Sequence, residues 1–263
     1  LRIVSWNVNG IRACWGKGMG DSLLALDPDV VCLQEIKALP DQLPKELLAL
    51  SDAAGRPYKC YVSSAERKGY SGTAILTRVE PREVRLMGES AFDAEGRLIA
   101  ADFGGLVVAS AYFPNSQDGG ARLGYKLDFC AAALEFCRAS SSNGGHVILS
   151  GDYNIAHKPI DLANPESNEG NPGYLPEERA WMDEFTGAGF VDSFRRFCPD
   201  PGQYTWWTYR VKGARERNVG WRLDYHCVDP ALMPRVRASA IHPAVMGSDH
   251  CPVSIDIDTE DLS

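Results

Sequence analysis

The sequence predicts an α/β protein made of two mixed β-sheets packed face to face with helices on the outside. Three observations carry this. Apolar runs of strand length alternate with longer runs of helical period, tight hairpin turns recur, and strand after strand ends in a polar residue. At 263 residues the chain could hold one large domain or two smaller ones. The short Ser140–Gly145 run does not read as a domain linker, so a single domain over residues 1–263 is expected.

The elements follow in order. Residues 2–8 alternate Ile3 and Ser5 with Val4, Trp6 and Val8, the period of a strand, and Asn7-Val8-Asn9-Gly10 is a turn signal that leaves Asn7 at the strand end. A helix is expected to about Ala25. A second strand through Val30, Val31, Cys32 and Leu33 then runs into Gln34 and Glu35. Residues 41–50 read as helical and 58–62 as extended. The basic turn Arg67-Lys68-Gly69-Tyr70-Ser71-Gly72 precedes a strand at 73–77. Gly104-Gly105 separates strands at 98–103 and 106–112 as a hairpin, with Tyr112 at the far end of the second. From Arg122 to about Ala139, Tyr125, Phe129, Ala132, Ala133, Phe136 and Cys137 recur at the spacing of an amphipathic helix packed on a sheet.

The stretch His146–Asn154 organises the rest. Val147, Ile148 and Leu149 form a continuous apolar run, the pattern of a strand covered on both faces. Gly151 is expected to turn the chain, delivering Asp152 and Asn154 to a rim. Burying a carboxylate there is costly without partners or solvent, so a polar cleft is the economical explanation. Residues 155–175, rich in Asn, Pro and Gly, read as a long functional loop. A helix opens at Pro176, with Trp181 and Phe185 on one face. Residues 203–209 concentrate Tyr204, Trp206, Trp207 and Tyr209. Strands are expected at 222–228, containing Asp224, at 235–241, and at 253–257 after a polar turn at 246–252. No tandem repeat is visible.

Composition limits the function classes. The chain is 44% hydrophobic and 24% charged, and neither an ~18-residue apolar span nor a charged-then-apolar leader is visible, so no membrane partner is expected. Its eight cysteines are scattered and include no Cys-x-x-Cys pair. They read as reduced core thiols of an intracellular, cytoplasmic protein, with no zinc cluster. The net charge of −8 argues against nonspecific attraction to nucleic acid, but residues 209–222 carry five basic side chains against Glu216 alone. Such a loop on an acidic body can still grip phosphates.

The polar strand ends collect Asn7, Glu35, Tyr112, Asp152, Asn154, Asp224, Asp249 and His250 on one edge. Four carboxylates together repel one another, so a shared divalent cation, a protonated neighbour such as His250, or both must compensate. Oxygen-rich ligation without a cysteine or histidine pair favours magnesium or manganese over zinc.

Seven segments, in order, carry a family resemblance: Ser5-Trp6-Asn7-Val8-Asn9-Gly10-Ile11-Arg12, Leu33-Gln34-Glu35-Ile36-Lys37, Gly69-Tyr70-Ser71-Gly72, Tyr112-Phe113-Pro114-Asn115, Gly151-Asp152-Tyr153-Asn154-Ile155-Ala156, Asn218-Val219-Gly220-Trp221-Arg222-Leu223-Asp224-Tyr225 and Ser248-Asp249-His250-Cys251-Pro252. They resemble exonuclease III and the related apurinic/apyrimidinic (AP) endonucleases of the endonuclease/exonuclease/phosphatase superfamily, essentially end to end. The resemblance implies a four-layered α/β sandwich and magnesium-dependent cleavage, with manganese as a substitute, on the 5′ side of an abasic site in duplex DNA. The product has a 3′ hydroxyl, and 3′-5′ exonuclease and 3′-phosphatase or phosphodiesterase action accompany this in the family.

By the same resemblance, Glu35 is the main metal ligand with Asn7 nearby, and Asp249 is a supporting carboxylate. Asp152 positions or deprotonates the attacking water while Asn154 holds that geometry. Asp224 orients His250, which faces the scissile phosphate together with Asn154 and Tyr112; the Tyr112 phenol is the rival for the role of base. Trp206, Trp221 and Leu223 resemble the pocket for the extruded, base-free sugar, and one of Trp206 and Trp207 is expected in the core. Arg12, Lys37, Tyr70, Asn164, Asn168, Asn171, Arg210 and Arg217 are the expected phosphate contacts, which position a duplex without reading its sequence.

Two departures stand out. Asn9 replaces an aspartate that some relatives carry near the metal, and Ser116-Gln117-Asp118-Gly119 lacks the wedge some relatives insert into DNA, leaving Arg210 on the other wedge loop. The implied partner is duplex DNA with abasic sites or damaged 3′ ends, met by a monomer that sits at the nucleoid when acting. The rivals are a lipid phosphatase on the same core and a catalytically silent DNA-binding module. The first is disfavoured by the aromatic, basic loop at 204–222, the second by the presence of Glu35, Asp152, Asn154 and His250 together.

Overall fold

The computed structural model describes residues 1–260, so the last three residues of the expected 1–263 domain lie outside the described residues. Among the described residues twelve strands run in chain order: β1 (Arg2–Asn7), β2 (Val30–Gln34), β3 (Lys59–Ser63), β4 (Thr73–Thr77), β5 (Glu83–Leu86), β6 (Leu98–Asp102), β7 (Leu106–Tyr112), β8 (His146–Asp152), β9 (Val191–Asp192), β10 (Asp224–Val228), β11 (Val236–Ile241) and β12 (Val253–Ile257). The helices are α1 (Ile11–Trp15), α2 (Met19–Leu26), α3 (Lys45–Leu48), α4 (Ser90–Asp93), α5 (Leu123–Ser140), α6 (Pro176–Gly187) and α7 (Ser193–Phe197).

Two six-stranded sheets result, in the orders β11-β12-β1-β2-β4-β3 and β5-β6-β7-β8-β10-β9. In each, the third and fourth strands are a parallel pair, β1 with β2 and β7 with β8, and the neighbouring pairs are antiparallel. A parallel pair sends both carboxyl ends to the same edge. Asn7, Gln34, Tyr112 and Asp152 therefore end their strands together, with Glu35 one residue beyond, and antiparallel β10 brings its first residue, Asp224, opposite Asp152.

Period-two alternation assigns each side chain to a layer. Ile3, Val30, Cys32, Val108, Ile148, Val228 and Ile255 fill the space between the sheets. Val4, Trp6, Val31 and Leu33 face outward onto Ile11, Met19, Leu23 and Leu47 of the first helical layer. Val107, Ala109, Val147, Leu149 and Tyr225 meet Phe129, Ala133, Trp181 and Phe185 of α5 and α6. The arrangement is helix, sheet, sheet, helix: a four-layered α/β sandwich.

The layer between the sheets turns polar in steps of two residues toward one edge. Ile3 leads to Ser5 and Asn7, Val30 to Cys32 and Gln34, Val108 to Ser110 and Tyr112, Ile148 to Ser150 and Asp152, and Val228 back to His226 and Asp224. Buried polar atoms must find partners, and here they join the sheets. The Gln34 amide donates to Ser110 Oγ (3.0 Å) and Ser5 Oγ (3.1 Å), and Ser110 Oγ donates to the Leu33 carbonyl (3.0 Å). His226 lies 2.7 Å from Ser150 Oγ through Nδ1 and 3.2 Å from the Val253 carbonyl through Nε2. A carbonyl only accepts, so the neutral ring carries its proton on Nε2 and accepts from Ser150.

Two expectations are corrected. Gly151 does not turn the chain; it lies inside β8, paired with Ala111 of β7 and Tyr225 of β10, with φ 150°. A Cβ there would overlap the Ala111 carbonyl oxygen, so glycine is needed for the close approach of β7. Residues 41–50 hold only a 3-10 turn at Pro40–Gln42 and the single-turn α3, because the ring of Pro44 has no N–H to continue a helix. The short β5, β9, α4 and α7 have too few residues to show a period.

Burial lowers the pKa of His226 to about 4, against 6.5 for a free ring. Its contribution to stability is therefore complete above pH 6.5 and is lost as pH falls toward 4, where the unfolded chain binds the extra proton. This should remove ~3 kcal/mol. Denaturant unfolding across that window should show a shallower loss for His226→Gln; identical slopes would place the acid sensitivity elsewhere. Gly151→Ala should cost about 2 kcal/mol or more, read as a lower denaturant midpoint at unchanged m-value.

Candidate active site

The polar edge closes into one network. Asn7 donates through Nδ2 to Glu35 Oε1 (3.0 Å) and to Asp152 Oδ2 (2.8 Å), joining the carboxylates of the two sheets. Asp152 Oδ1 accepts the backbone N–H of Asn154 (2.8 Å), and the Asn154 amide donates to the Phe113 carbonyl (2.9 Å). His250 Nδ1 bonds Asp224 Oδ2 at 2.8 Å, while its Nε2 faces Asp152 Oδ2 at 3.8 Å. Asp249 accepts from Asn9 Nδ2 (3.0 Å) and Trp206 Nε1 (3.1 Å). All eight residues expected on this edge are thus brought together, and Asp152, Asp224 and His250 are buried.

Their charges set one another. Burial opposes the His250 proton, but Asp224, Asp152 and Asp249 outweigh it and push its pKa up to about 10, so the ring is imidazolium at neutral pH. Burial raises the Asp152 pKa, with His250 opposing and Asp224 and Glu35 adding to it. Burial also opposes the charge of Glu35, yet Lys37 Nζ, 2.7 Å from Oε2, and the Asn7 amide hold its pKa below the usual carboxylate value. The Tyr112 phenol is pushed well above its ordinary pKa, first by burial and then by the charge of Glu35, and keeps its proton. Asp224 Oδ1 is buried without a hydrogen-bond partner.

A cleft of about 630 Å³ opens over this floor. Glu35, Tyr112, Asn154, Asp249 and His250 form the base, and Trp206, Trp221 and Leu223 form an apolar wall. The two indoles meet edge to face at 6.2 Å, and the backbone of Trp206 bridges both Trp221 and His250, coupling wall to floor. Trp207 is instead buried against Ala214 and Cys251.

The expected phosphate contacts divide. Arg210 and Asn171 are exposed at the cleft lip. Arg12 and Lys37 line a separate groove of about 610 Å³ with Gly10, Ile36 and Gly69, although Lys37 is held by Glu35 and by Asn9 Oδ1 at 2.5 Å. The Tyr70 hydroxyl accepts from Arg97 (2.6 Å) and Arg122 (2.5 Å). Asn168 donates to the carbonyls of Ala163 and Asn164, and Asn171 donates to Asn168, so these side chains also staple the long loop. Arg217 is exposed but lies off the cleft wall, bonded to the Lys212 carbonyl. Arg222 is buried against Asp161 and Asp192, so residues 209–222 offer less outward charge than their composition suggests.

Three neighbours were missed by sequence reasoning. Arg97 stacks on the Tyr112 ring at 4.7 Å, Asn115 reaches Asn154 Oδ1 at 3.4 Å, and Lys126 Nζ donates to the Asn154 carbonyl at 2.7 Å. Lys126 had a legible signal, since it shares the apolar stripe of α5 with Phe129, Cys130, Ala133 and Cys137.

The donor set suits a hard divalent cation. Ligand atoms of Asp152, Asp224 and His250 lie within 4.8 Å of one another, but binding there would require His250 to surrender a proton that its carboxylates hold. An ionised Glu35, with Asn7 and Asp249 nearby, supplies oxygen ligands without that cost, so the Glu35 side fits better.

The chain is 41% identical over 260 residues to an exodeoxyribonuclease of Bacillus subtilis (strain 168), covering 98% of this chain and 99% of that one. It is also 41% identical over 262 residues to the DNA repair nuclease APEX1 of Danio rerio, covering 97% and 81%. Among solved structures, an AP endonuclease from Archaeoglobus fulgidus matches with a TM-score of 0.86 at 28% identity, covering 98% of this chain and 99% of that one. The profile of the Endonuclease/Exonuclease/phosphatase family matches residues 4–250, a span that holds all eight edge residues, and the chain belongs to that family.

Proposed function

We propose that this protein is a DNA repair phosphodiesterase, an AP endonuclease that hydrolyses the phosphodiester 5′ to an abasic site in duplex DNA and leaves a 3′ hydroxyl. It also acts as a 3′-5′ exonuclease and 3′-phosphatase or phosphodiesterase on damaged 3′ ends. The observation that carries the reading is the cleft itself, where the Trp206–Trp221–Leu223 wall stands directly beside the Asp152–His250–Asp224 network. An apolar wall suits a deoxyribose without its base, and such a sugar is the least costly to extrude because its stacking is already lost.

The roles follow from the protonation states. Asp152, with a raised pKa, takes the proton of the attacking water. Tyr112 retains its proton and so donates to the phosphate, which favours Asp152 over the phenol as the base. Imidazolium His250, oriented by Asp224, and the Asn154 amide meet the charge that develops on the phosphate oxygens. Glu35, with Asn7 and Asp249, would hold Mg²⁺, or Mn²⁺ in its place, and the bound cation would add charge stabilisation at the same oxygens. Arg12, Lys37 and Tyr70 on one flank, and Asn164, Asn168, Asn171, Arg210 and Arg217 on the other, seat the duplex backbone. The protein works as one domain and as a monomer, inside the cell, in the cytoplasm and at the nucleoid. Among the described residues no helix is long and apolar enough to cross a membrane.

Three labelled duplexes test this: one with a single abasic analogue, one intact and one ending in a 3′-phosphate, each with magnesium and with chelator. Nicking 5′ to the lesion that chelation abolishes is the expected result. Progressive 3′ shortening or phosphate release as the dominant product would move the main role to 3′ processing, and inertness toward all three would sink the reading. Asp152→Asn should lower turnover by roughly 100- to 10,000-fold while lesion-duplex affinity persists. Near-normal turnover in that variant would remove Asp152 from the role of base.

A further inference from the structure

Lys126 and Glu178 are an ion pair at 2.7 Å with both side chains wholly buried, and no step of the proposed reaction uses them. Lys126 lies on the core face of α5 and Glu178 in the first turn of α6. Burying two charges is expensive, and replacing such a pair with apolar side chains of similar volume is often neutral or stabilising. Packing α5 against α6 therefore does not account for the pair. Its other bonds do.

Lys126 Nζ also donates to the backbone carbonyl of Asn154 at 2.7 Å. Glu178 Oε1 accepts the Ser116 hydroxyl at 2.5 Å, and Oε2 accepts the Leu175 N–H at 2.9 Å. One buried pair thus holds the loop after β7, through Ser116, and the loop after β8, through Asn154. Asn154 has φ 50°, in the left-handed region that is uncommon for residues with a side chain and that asparagine enters most readily. Its N–H and its amide are held by Asp152 and Phe113, within the strand ends themselves. Its carbonyl is held from the helical layer.

We propose that Lys126 and Glu178 are positioning residues, a buried clasp that fixes the backbone of Asn154 and, through Ser116, the neighbouring Asn115 loop, so that the Asn154 side chain keeps its place in the cleft beside Asp152. This rests on the reading of Asn154 as a group that meets the substrate. An apolar pair could fill the same volume but could not hold the carbonyl.

The test is a double-mutant cycle on the abasic duplex with Lys126→Met/Glu178→Gln, which leaves no charge unpaired, and Asn154→Ala. The folded clasp variant should lose roughly 10- to 100-fold in kcat with KM and lesion-duplex affinity little changed, the penalty of a misplaced group rather than a lost contact. In the Asn154→Ala background the same substitutions should add almost nothing. A folded clasp variant with kcat within about twofold of the parent, or an additive loss, overturns the proposal. If the double variant does not fold, Ser116→Ala carries the test, since it removes one donor to Glu178 without leaving a charge. It should lower kcat at constant KM, and unchanged turnover overturns the proposal equally. Full activity in Asn154→Ala alone would instead refute the role given to Asn154, whatever the clasp variants do.

Discussion

Asp152 is 1% exposed at the end of a central strand, and much of the molecule is arranged around keeping its carboxylate there. An unpaired buried charge is not tolerated, and a strong ion pair would hold the carboxylate fully ionised and weakly basic. The chain takes a middle course. Asn7 and the Asn154 N–H satisfy the oxygens with neutral donors, while imidazolium His250 stands 3.8 Å away, close enough to stabilise the charge without a direct bond. His250 is itself charged because Asp224, which holds its other nitrogen, acts on it together with Asp152 and Asp249. Each member depends on one contributed by a different element.

That dependence explains the sheet topology. Two parallel pairs, one in each sheet, put four strand ends on one edge, and antiparallel β10 and β12 bring Asp224 and the turn before β12 back to it. The polar gradient between the sheets is the accompanying cost, since Gln34, Ser110, Ser150 and His226 take inner positions that apolar side chains could have filled. Their bonds across the interface fix how the sheets sit, and hence the span from Asn7 to Asp152. Stability is thereby exchanged for registration, and it becomes sensitive to acid at His226.

Much of this was legible in the sequence where an apolar run stops abruptly at a polar residue. Leu33-Gln34-Glu35 and Leu149-Ser150-Gly151-Asp152 announce strand ends because burial and charge conflict there. The two-sheet architecture and the family followed from such segments taken together. The pairing of particular side chains did not, since Asn7 meets Asp152 across 145 residues and local patterning carries no such distance. Gly151 misled because glycine marks both turns and close strand approach, and only the Ala111 carbonyl distinguishes them. Composition overstated the basic loop, as it cannot tell that Arg222 is spent on Asp161 and Asp192 while Arg210 faces solvent. Lys126 was readable in principle, being a charge in an apolar stripe, but its partner on α6 was not.

The floor and the wall of the cleft rest on different kinds of structure. Tyr112, Asp152 and Asp224 stand at strand ends locked by the sheets, whereas Trp206, Trp221 and Arg210 sit on loops, the two tryptophans joined to each other and to His250 by isolated bridges. Loops can change shape at little cost to the core. Under the proposed function, the hydrolytic groups would stay in place while the choice between an internal lesion and a damaged 3′ end shifted with the lip residues. Between Asn115 and Gly119 that lip is small and polar, and opposite it stands the exposed Arg210. Under the function proposed above, a lip of this kind would grip a backbone more than wedge a base stack, and selection of the substrate would fall to the aromatic wall and to how readily the sugar leaves the helix.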